Sequence, residues 1–213
     1  MRSKLWKWKY ERLSEIVIEN LSHRAIDAEY LDDSSRVVET LKRIIDKGST
    51  VAVGGSLTLQ QTGVIDFLRK YDCSFLDRYS TSDKQKLSEI FKSAFTADYF
   101  LASVNALTVK GEIVQLDGFG TRVAPMIFGP EKVVLIVGMN KIVADMDSAL
   151  KRIKTIAPMN ARRLKLHTPC VSTGVCMDCN STERICESYV VIADSNARRN
   201  RYTVILVGED LGL

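Results

Sequence analysis

The stretch Val-Val-Leu-Ile-Val-Gly-Met-Asn-Lys, residues 133–141, decides the fold class. Its apolar run is short and unbroken, which is typical of a parallel strand buried on both faces. The run ends at a glycine, followed by an amide side chain and a cation. A helical apolar pattern then predicts a helix that ends before Pro158, and its apolar positions are Ile142, Met146, Ala149, Leu150 and Ile153.

A second stretch, residues 50–58, repeats this order of strand, loop and helix. Residues 50–53 are mostly β-branched and run directly into Gly-Gly-Ser-Leu-Thr. Helical patterns with apolar stripes alternate with further strand candidates at residues 99–103, 106–109, 113–116, 189–194 and 201–207. This alternation predicts an α/β fold with a mainly parallel sheet covered by helices. Lys110-Gly111 indicates a local antiparallel hairpin set into that sheet.

Length and composition favour one globular domain. The chain has 213 residues, of which 46% are hydrophobic and 26% charged, as expected for a folded α/β unit. We divide residues 1–213 into an N-terminal helical segment (1–48), the core sheet (49–165), a cysteine loop (166–188) and closing strands (189–213).

Charge and hydropathy argue against nucleic-acid-binding, exported and membrane-spanning proteins. The net charge of +4 comes from interspersed basic and acidic residues, so nucleic-acid binding is not expected. The sequence has neither a signal-peptide pattern nor an apolar run long enough to span a bilayer. We therefore expect a cytoplasmic protein without a membrane partner. Trp6 and Trp8 are expected to pack at a helix start or on a subunit surface, which leaves a homo-oligomer open.

Two loops are candidates for a ligand crevice, because parallel sheets bind ligands where loops leave the carboxyl ends of strands. In residues 54–58, two glycines let backbone amides approach an anion, and Ser56 and Thr58 add hydroxyls. In residues 138–141, Asn140 and Lys141 supply an amide and a cation. The alternative is that the Gly-Gly pair merely bends the chain. Neither the P-loop spacing nor the dinucleotide fingerprint is present, so no nucleotide cofactor is indicated.

A third candidate is Asp-Gly-Phe-Gly-Thr-Arg, residues 117–122. The planar fork of Arg122 suits a ligand carboxylate or phosphate. The alternative is that Asp117 and Arg122 pair across a turn. Asp98 and Asn105, which flank a strand, are either crevice residues or turn formers. The complete predicted site for a small anionic ligand is Gly54, Gly55, Ser56, Thr58, Asp98, Asn105, Asp117, Gly118, Gly120, Arg122, Gly138, Asn140 and Lys141.

Four cysteines predict a metal site. Cys170, Cys176, Cys179 and Cys186 follow the spacing Cys-x5-Cys-x2-Cys-x6-Cys. In a reducing compartment, clustered thiols favour metal ligation over disulfides. The spacing matches neither common ferredoxin pattern, so an iron–sulfur cluster, tetrahedral zinc and free thiols all stay open. His167 is a further candidate ligand or a surface residue.

The order of these motifs resembles the lactate-utilisation (LUD) domain family, in its short form with a C-terminal cysteine motif. The resemblance covers about residues 10–213, and the matching stretches are residues 53–59, 97–100, 104–108, 117–123, 128–130, 137–143, 157–161, the four cysteines and 207–212. The family pattern prefers Asn at the position of Thr121.

The resemblance implies a fold like that of ribose-5-phosphate isomerase, glucosamine-6-phosphate deaminase and coenzyme A transferases. In those proteins, the first Gly-rich turn holds a phosphate or coenzyme A portion. The resemblance also implies a link to the oxidation of lactate to pyruvate and to iron–sulfur partner proteins.

Three functions are consistent with these features. The first is a catalytic or accessory component of lactate or related organic-acid oxidation, with an anion in the crevice and a metal at the cysteines. The second is a group-transfer or isomerase enzyme acting on a phosphorylated or coenzyme A-linked substrate, for which Glu112 or Glu131 would serve as the nucleophile. The third is a non-enzymatic sensor of a small anion.

Overall fold

A six-stranded parallel sheet forms the centre of the molecule. The computed structural model describes residues 1–213, except for the side chain of Arg2. All neighbouring strands of this sheet are parallel, which confirms the predicted fold class. Their spatial order is β1 (Asp27–Leu31), β10 (Tyr202–Val207), β7 (Lys132–Gly138), β4 (Tyr99–Ala102), β2 (Thr50–Val53) and β3 (Ser74–Leu76).

Helices cover both faces of the main sheet. They are α1 (Arg2–His23), α2 (Val37–Ile44), α3 (Leu57–Gln61), α4 (Val64–Leu68), α5 (Lys84–Ser93), α6 (Val123–Ile127), α7 (Met146–Arg163) and α8 (Pro169–Thr173). Short 3-10 turns lie at Ser34–Arg36, Ala94–Thr96, Met139–Lys141 and Asn196–Arg198. Both faces of the main sheet are apolar because helices cover both. In strand β7, Leu135 packs into the hydrophobic cluster on the α1 side and Ile136 into the cluster on the α2 side.

A second, four-stranded sheet lies beside the first. Its order is β8 (Ile142–Val143), β5 (Ala106–Thr108), β6 (Ile113–Asp117) and β9 (Ser188–Ile192). Strands β5 and β6 form the expected antiparallel hairpin, but the hairpin belongs to this sheet and is not set into the main one. Helix α7 packs on it through buried Ala149, Ile153 and Ala157.

Three expectations about segments differ from the structure. Residues 1–48 are not purely helical, because they contain β1, whose Asp, Ala and Glu residues have low strand propensity. Strand β10 does not close an edge, since it lies between β1 and β7. Helix α7 continues through Pro158. Proline removes one helical hydrogen bond, but buried Ile153 and Ala161 on either side of it hold the helix in place.

None of the helices in the described part of the chain combines the length and the apolar character that a membrane span requires.

Arg201 attaches helix α6 to the main sheet. Its side chain is buried, and its guanidinium donates to the carbonyls of Pro125 and Pro130, both at 3.0 Å, and to that of Met126. Its Nη1 also lies 2.6 Å from the hydroxyl of Tyr202. Because α6 begins directly after Arg122, this buried network positions a residue of the candidate site.

We predict that Arg201→Met lowers the free energy of unfolding by about 3 kcal/mol, because buried carbonyl groups lose their donors. The measurement is urea unfolding at neutral pH, with the exposed Arg199→Met as the matched control. Equal unfolding midpoints for the two variants would show that the Arg201 network does not stabilise the fold.

Candidate functional site

A cavity of about 370 Å³ lies at the carboxyl ends of β2 and β4, between the two sheets and α7. The loops predicted from residues 54–58 and 117–122 both line it, together with Lys141. The structure therefore brings together side chains that are far apart in sequence. The predicted site residues that line the cavity are Gly55, Ser56, Thr58, Asn105, Asp117, Gly118, Arg122 and Lys141.

Lys141 is a buried cation, and its side chain crosses between two strand-end loops. Its Nζ donates to Thr58 Oγ1 at 2.8 Å, after β2, and to Ser103 Oγ at 2.9 Å, after β4. Within the described part of the chain, no carboxylate lies within ion-pair distance of Nζ. Burial, together with the smaller effects of the Arg152 and Arg122 charges, lowers the pKa of Lys141 from 10.5 to about 7.

Arg122 is held in place by its neighbours. Its Nη2 donates to Asn105 Oδ1 at 3.0 Å and to the carbonyl of Leu116 at 2.6 Å. Asp117 lies 3.6 Å from its Nε, and the same carboxylate accepts the amides of Gly120 and Arg122. Asp117 therefore pairs with Arg122 across the turn, which was the alternative to a ligand-binding role for this motif. The pairing also orients the Arg122 side chain. Burial lowers the pKa of Arg122, whereas the Asp117 charge raises it.

Arg78 is a cavity residue that the sequence analysis missed. It follows β3 in a loop without a recognisable motif, and its Cζ lies 4.7 Å from the ring centre of Phe91. Among the described residues, its guanidinium has neither a hydrogen-bond partner nor an ion pair. Arg163 lies at the exposed rim on α7. Arg78, Arg122, Lys141 and Arg163 thus give the cavity a strongly cationic lining.

Four predicted residues shape the site without lining it. A Cβ at Gly54 would lie 2.8 Å from Arg122 Cγ, so only glycine allows this approach. Gly120 adopts a positive φ of 76° in the Asp117 turn. A Cβ at Gly138 would meet the amide of Leu211 at 2.7 Å. The side chain of Asn140 is turned to the C-terminal segment and does not line the cavity, since its Oδ1 accepts that same amide at 3.1 Å.

Asp98 was wrongly placed in the crevice. It precedes β4, and its carboxylate accepts the amide of Thr50, the first residue of β2, at 2.7 Å. It therefore lies at the amino ends of the parallel strands, opposite the cavity. The error is one of direction, because a residue before a parallel strand and a residue after it lie on opposite edges of the sheet.

The glutamates required by a group-transfer enzyme lie elsewhere. Glu112 accepts from the hydroxyl of Thr108 at 2.6 Å and lies 3.7 Å from Arg24. Glu131 immediately precedes β7, at the amino end of that strand. Within the described residues, neither lines the cavity, and Asp117 is its only acidic side chain. A transferase mechanism with a glutamate nucleophile therefore has no support from this geometry.

The four clustered cysteines lie on one segment beside the cavity. All of them are free and partly buried. Burial raises the pKa of the Cys186 thiol, and the nearby Cys176, Cys170 and Cys179 add to the rise. In the part of the chain that the structure describes, however, no three Cys, His, Asp or Glu side chains are arranged as a metal-binding group.

The chemistry of the cysteine segment nevertheless fits a thiolate-bound metal. Arg184 donates to the carbonyls of Cys179 and Cys186, and its Nε lies 3.5 Å from the carboxylate of Glu187. Such a cation offsets the negative charge of thiolates. Ile185, between Arg184 and Cys186, lines the cavity, so the two candidate sites share a wall. His167 contacts Glu183 instead, at 3.2 Å.

The fold and the crevice define an α/β protein with a parallel sheet and a cavity lined by basic and apolar side chains. The chain belongs to the LUD domain family, whose model matches residues 14–207, and at the level of the family this indicates a role related to lactate utilisation. Among curated proteins, no sequence matches the chain.

A solved structure agrees with the fold over most of the chain. The chain is similar to a DUF162 family protein from Deinococcus radiodurans, with a TM-score of 0.56 and 11% identity over 93% of this chain and 98% of that one. Weaker similarity extends to eIF2B beta from Chaetomium thermophilum (TM-score 0.36, 11% identity, 54% of this chain and 44% of that one). Ribose 5 phosphate isomerase A from Neisseria gonorrhoeae gives a TM-score of 0.33 and 11% identity over 53% of this chain and 54% of that one.

The lowered pKa of Lys141 predicts a pH-dependent stability. Between about pH 7 and pH 10 the unfolded chain binds one more proton than the folded chain, so the unfolding free energy rises with pH in this window. In Lys141→Met this contribution is absent. We expect the unfolding free energy of the unaltered protein, relative to that of Lys141→Met, to increase by on the order of 3 kcal/mol across the window.

Urea unfolding at several pH values measures this difference. The matched control is Lys151→Met, which removes an exposed lysine from α7 and should follow the pH profile of the unaltered protein. A constant difference between the unaltered protein and Lys141→Met would mean that Lys141 has an ordinary pKa.

Proposed function

We propose that the cavity binds a small organic anion of lactate-utilisation chemistry, such as lactate, pyruvate or a related short acid. The observation that carries this proposal is the imbalance of charge in the cavity. Four cationic side chains, Arg78, Arg122, Lys141 and Arg163, line it, and the carboxylate of Asp117 is already engaged by Arg122 and two backbone amides. A ligand carboxylate supplies the missing negative charge.

The shape of the cavity supports a short ligand. Its volume of about 370 Å³ is near the lower end of the usual range for small-molecule sites. Ile153, Ile156 and Ala157 of α7 form an apolar wall facing the basic residues. One polar end and one small apolar end are the features of a short hydroxy or oxo acid.

The wider role in this proposal follows from the family. The protein would act in the oxidation of lactate or a related organic acid, as a catalytic or accessory component with iron–sulfur partner proteins. We place this role in the cytoplasm, where reduced thiols are maintained; all five cysteines are free.

We further propose that Cys170, Cys176, Cys179 and Cys186 hold a metal, either zinc or an iron–sulfur cluster. Four thiolates are a donor set that both take. In binding the metal, the segment would draw its sulfur atoms together, while Arg184 braces the backbone at Cys179 and Cys186. A bound zinc would act as a structural clip, and a cluster would supply electron transfer.

Thermal-shift measurements test the anion site. We expect lactate and pyruvate to raise the melting temperature with concentration, because they bind only the folded state. In Arg78→Leu, the affinity for these acids should fall about tenfold to a hundredfold, as a charge-assisted hydrogen bond is lost. Arg78 makes no hydrogen bond or ion pair with other described residues, so the variant should fold normally.

The matched control is Arg162→Gln, which removes an exposed arginine near the cavity rim but outside its lining. Its affinity for the acids should equal that of the unaltered protein.

Stabilisation by phosphate or coenzyme A but not by either acid would contradict the proposal and favour a phosphorylated or coenzyme A-linked ligand. Acid binding without turnover in the presence of electron acceptors would identify a sensor.

Metal analysis of anaerobically purified protein tests the cysteine site. We expect the unaltered protein to contain zinc, or iron and sulfide with a visible absorption band, in proportion to protein. The variant with all four clustered cysteines changed to serine should lose this content, whereas Cys73→Ser should keep it, because Cys73 lies far from the segment, next to β3. Equal metal content in the unaltered protein and the fourfold variant would refute the assignment.

A further inference from the structure

The Lys141 amine is placed as a nucleophile as well as a cation. It lines the cavity although only 4% of the residue is exposed. Its two hydrogen bonds go to the hydroxyls of Thr58 and Ser103, which do not require a charged amine. A lysine needed only as a structural cation would normally have a carboxylate partner when buried.

The surroundings of Lys141 favour its neutral form. Arg122 and Arg152, on the loop after β6 and on α7, are the charged groups whose repulsion adds to the effect of burial. Because its pKa is about 7, about half of the amine is unprotonated at neutral pH. Desolvation and a neighbouring cation are the means by which enzymes activate a lysine toward carbonyl groups.

The same cavity offers a place for the rest of a carbonyl ligand. Arg78 and Arg122 stay charged at neutral pH and suit a carboxylate. In a 2-oxo acid the carbonyl carbon is bonded directly to the carboxylate carbon, so binding of the carboxylate by an arginine brings the carbonyl near Lys141. The apolar wall of Ile153 and Ile156 then receives the short alkyl end.

Building on the anion-binding role above, we propose that Lys141 forms an imine with the carbonyl carbon of a short 2-oxo acid such as pyruvate. The amine nitrogen attacks the carbonyl carbon to give a carbinolamine. The C–O bond then breaks, and the oxygen leaves as water with the two hydrogens lost by the amine. The hydroxyls of Thr58 and Ser103, both within 2.9 Å of Nζ, transfer these protons. The step consumes no oxidant or reductant.

Reductive trapping tests the imine. The whole protein is incubated with pyruvate and sodium cyanoborohydride, which reduces the C=N bond to a stable secondary amine. Intact mass should show a single reduced pyruvate adduct, and peptide mapping should place it on Lys141. We expect labelling of Lys141 to be at least about tenfold faster than that of exposed Lys151, because the bound acid is held next to the amine.

Two controls need no altered protein. Excess lactate, which has no carbonyl group, should form no adduct and should protect Lys141 from pyruvate. Acetate with cyanoborohydride should give no mass change. In Lys141→Arg the adduct should disappear, whereas Lys151→Arg, which changes an exposed lysine of α7, should form it as fast as the unaltered protein does.

The outcomes separate this inference from the function on which it rests. If lactate and pyruvate stabilise the protein but Lys141 is labelled no faster than Lys151, the imine is wrong and anion binding stands. If neither acid stabilises the protein and no adduct forms, the proposed function fails as well. Labelling of Lys141 that excess lactate does not reduce would also overturn the inference, because the reaction would not occur in the anion site.

Discussion

The hydrogen bonds from Lys141 Nζ to Thr58 and Ser103 are the contacts on which the site depends. They connect the loop that follows β7 to the loops that follow β2 and β4, three strands that are adjacent in the main sheet. Arg152 reinforces this arrangement from α7, since it donates to main-chain oxygen atoms of Asn140, Asn105 and Leu213. The cavity is therefore framed by a buried cation and by an arginine that bonds to three backbone segments.

This arrangement has an electrostatic cost. Burial and the charges of Arg152 and Arg122 lower the pKa of Lys141, and lysine loses its charge more readily than arginine because its ordinary pKa is lower. A bound anion removes much of the repulsion, so ligand binding and stability are linked through the same residues.

The cysteine segment shares a wall with the cavity at Ile185, whose Cα lies 3.3 Å from the position of a Cβ on Gly118. Metal binding there would set the position of that wall.

The sequence was sufficient to predict the central strands and most of the crevice, because the apolar run at residues 133–137 and the loops after β2 and β7 follow rules of parallel sheets. Strand β1 could not be recognised from its weak propensity, and β8, with two residues, was too short to leave a pattern. Arg78 was missed because its position depends on the path of the chain after β3 and not on a motif. Asn140 and Asp98 were misassigned because hydrogen-bond partners remote in sequence decide their roles.

Lys141 is a buried amine that has no carboxylate partner among the described residues and, as we propose, receives an anion. An NMR titration of the Lys141 side chain tests this directly, with lysine labelled at the ε-carbon and Lys141→Met used to assign the signal. We expect a pKa of about 7 in the free protein and a higher pKa in the presence of lactate. A pKa close to 10.5 that lactate leaves unchanged would contradict it.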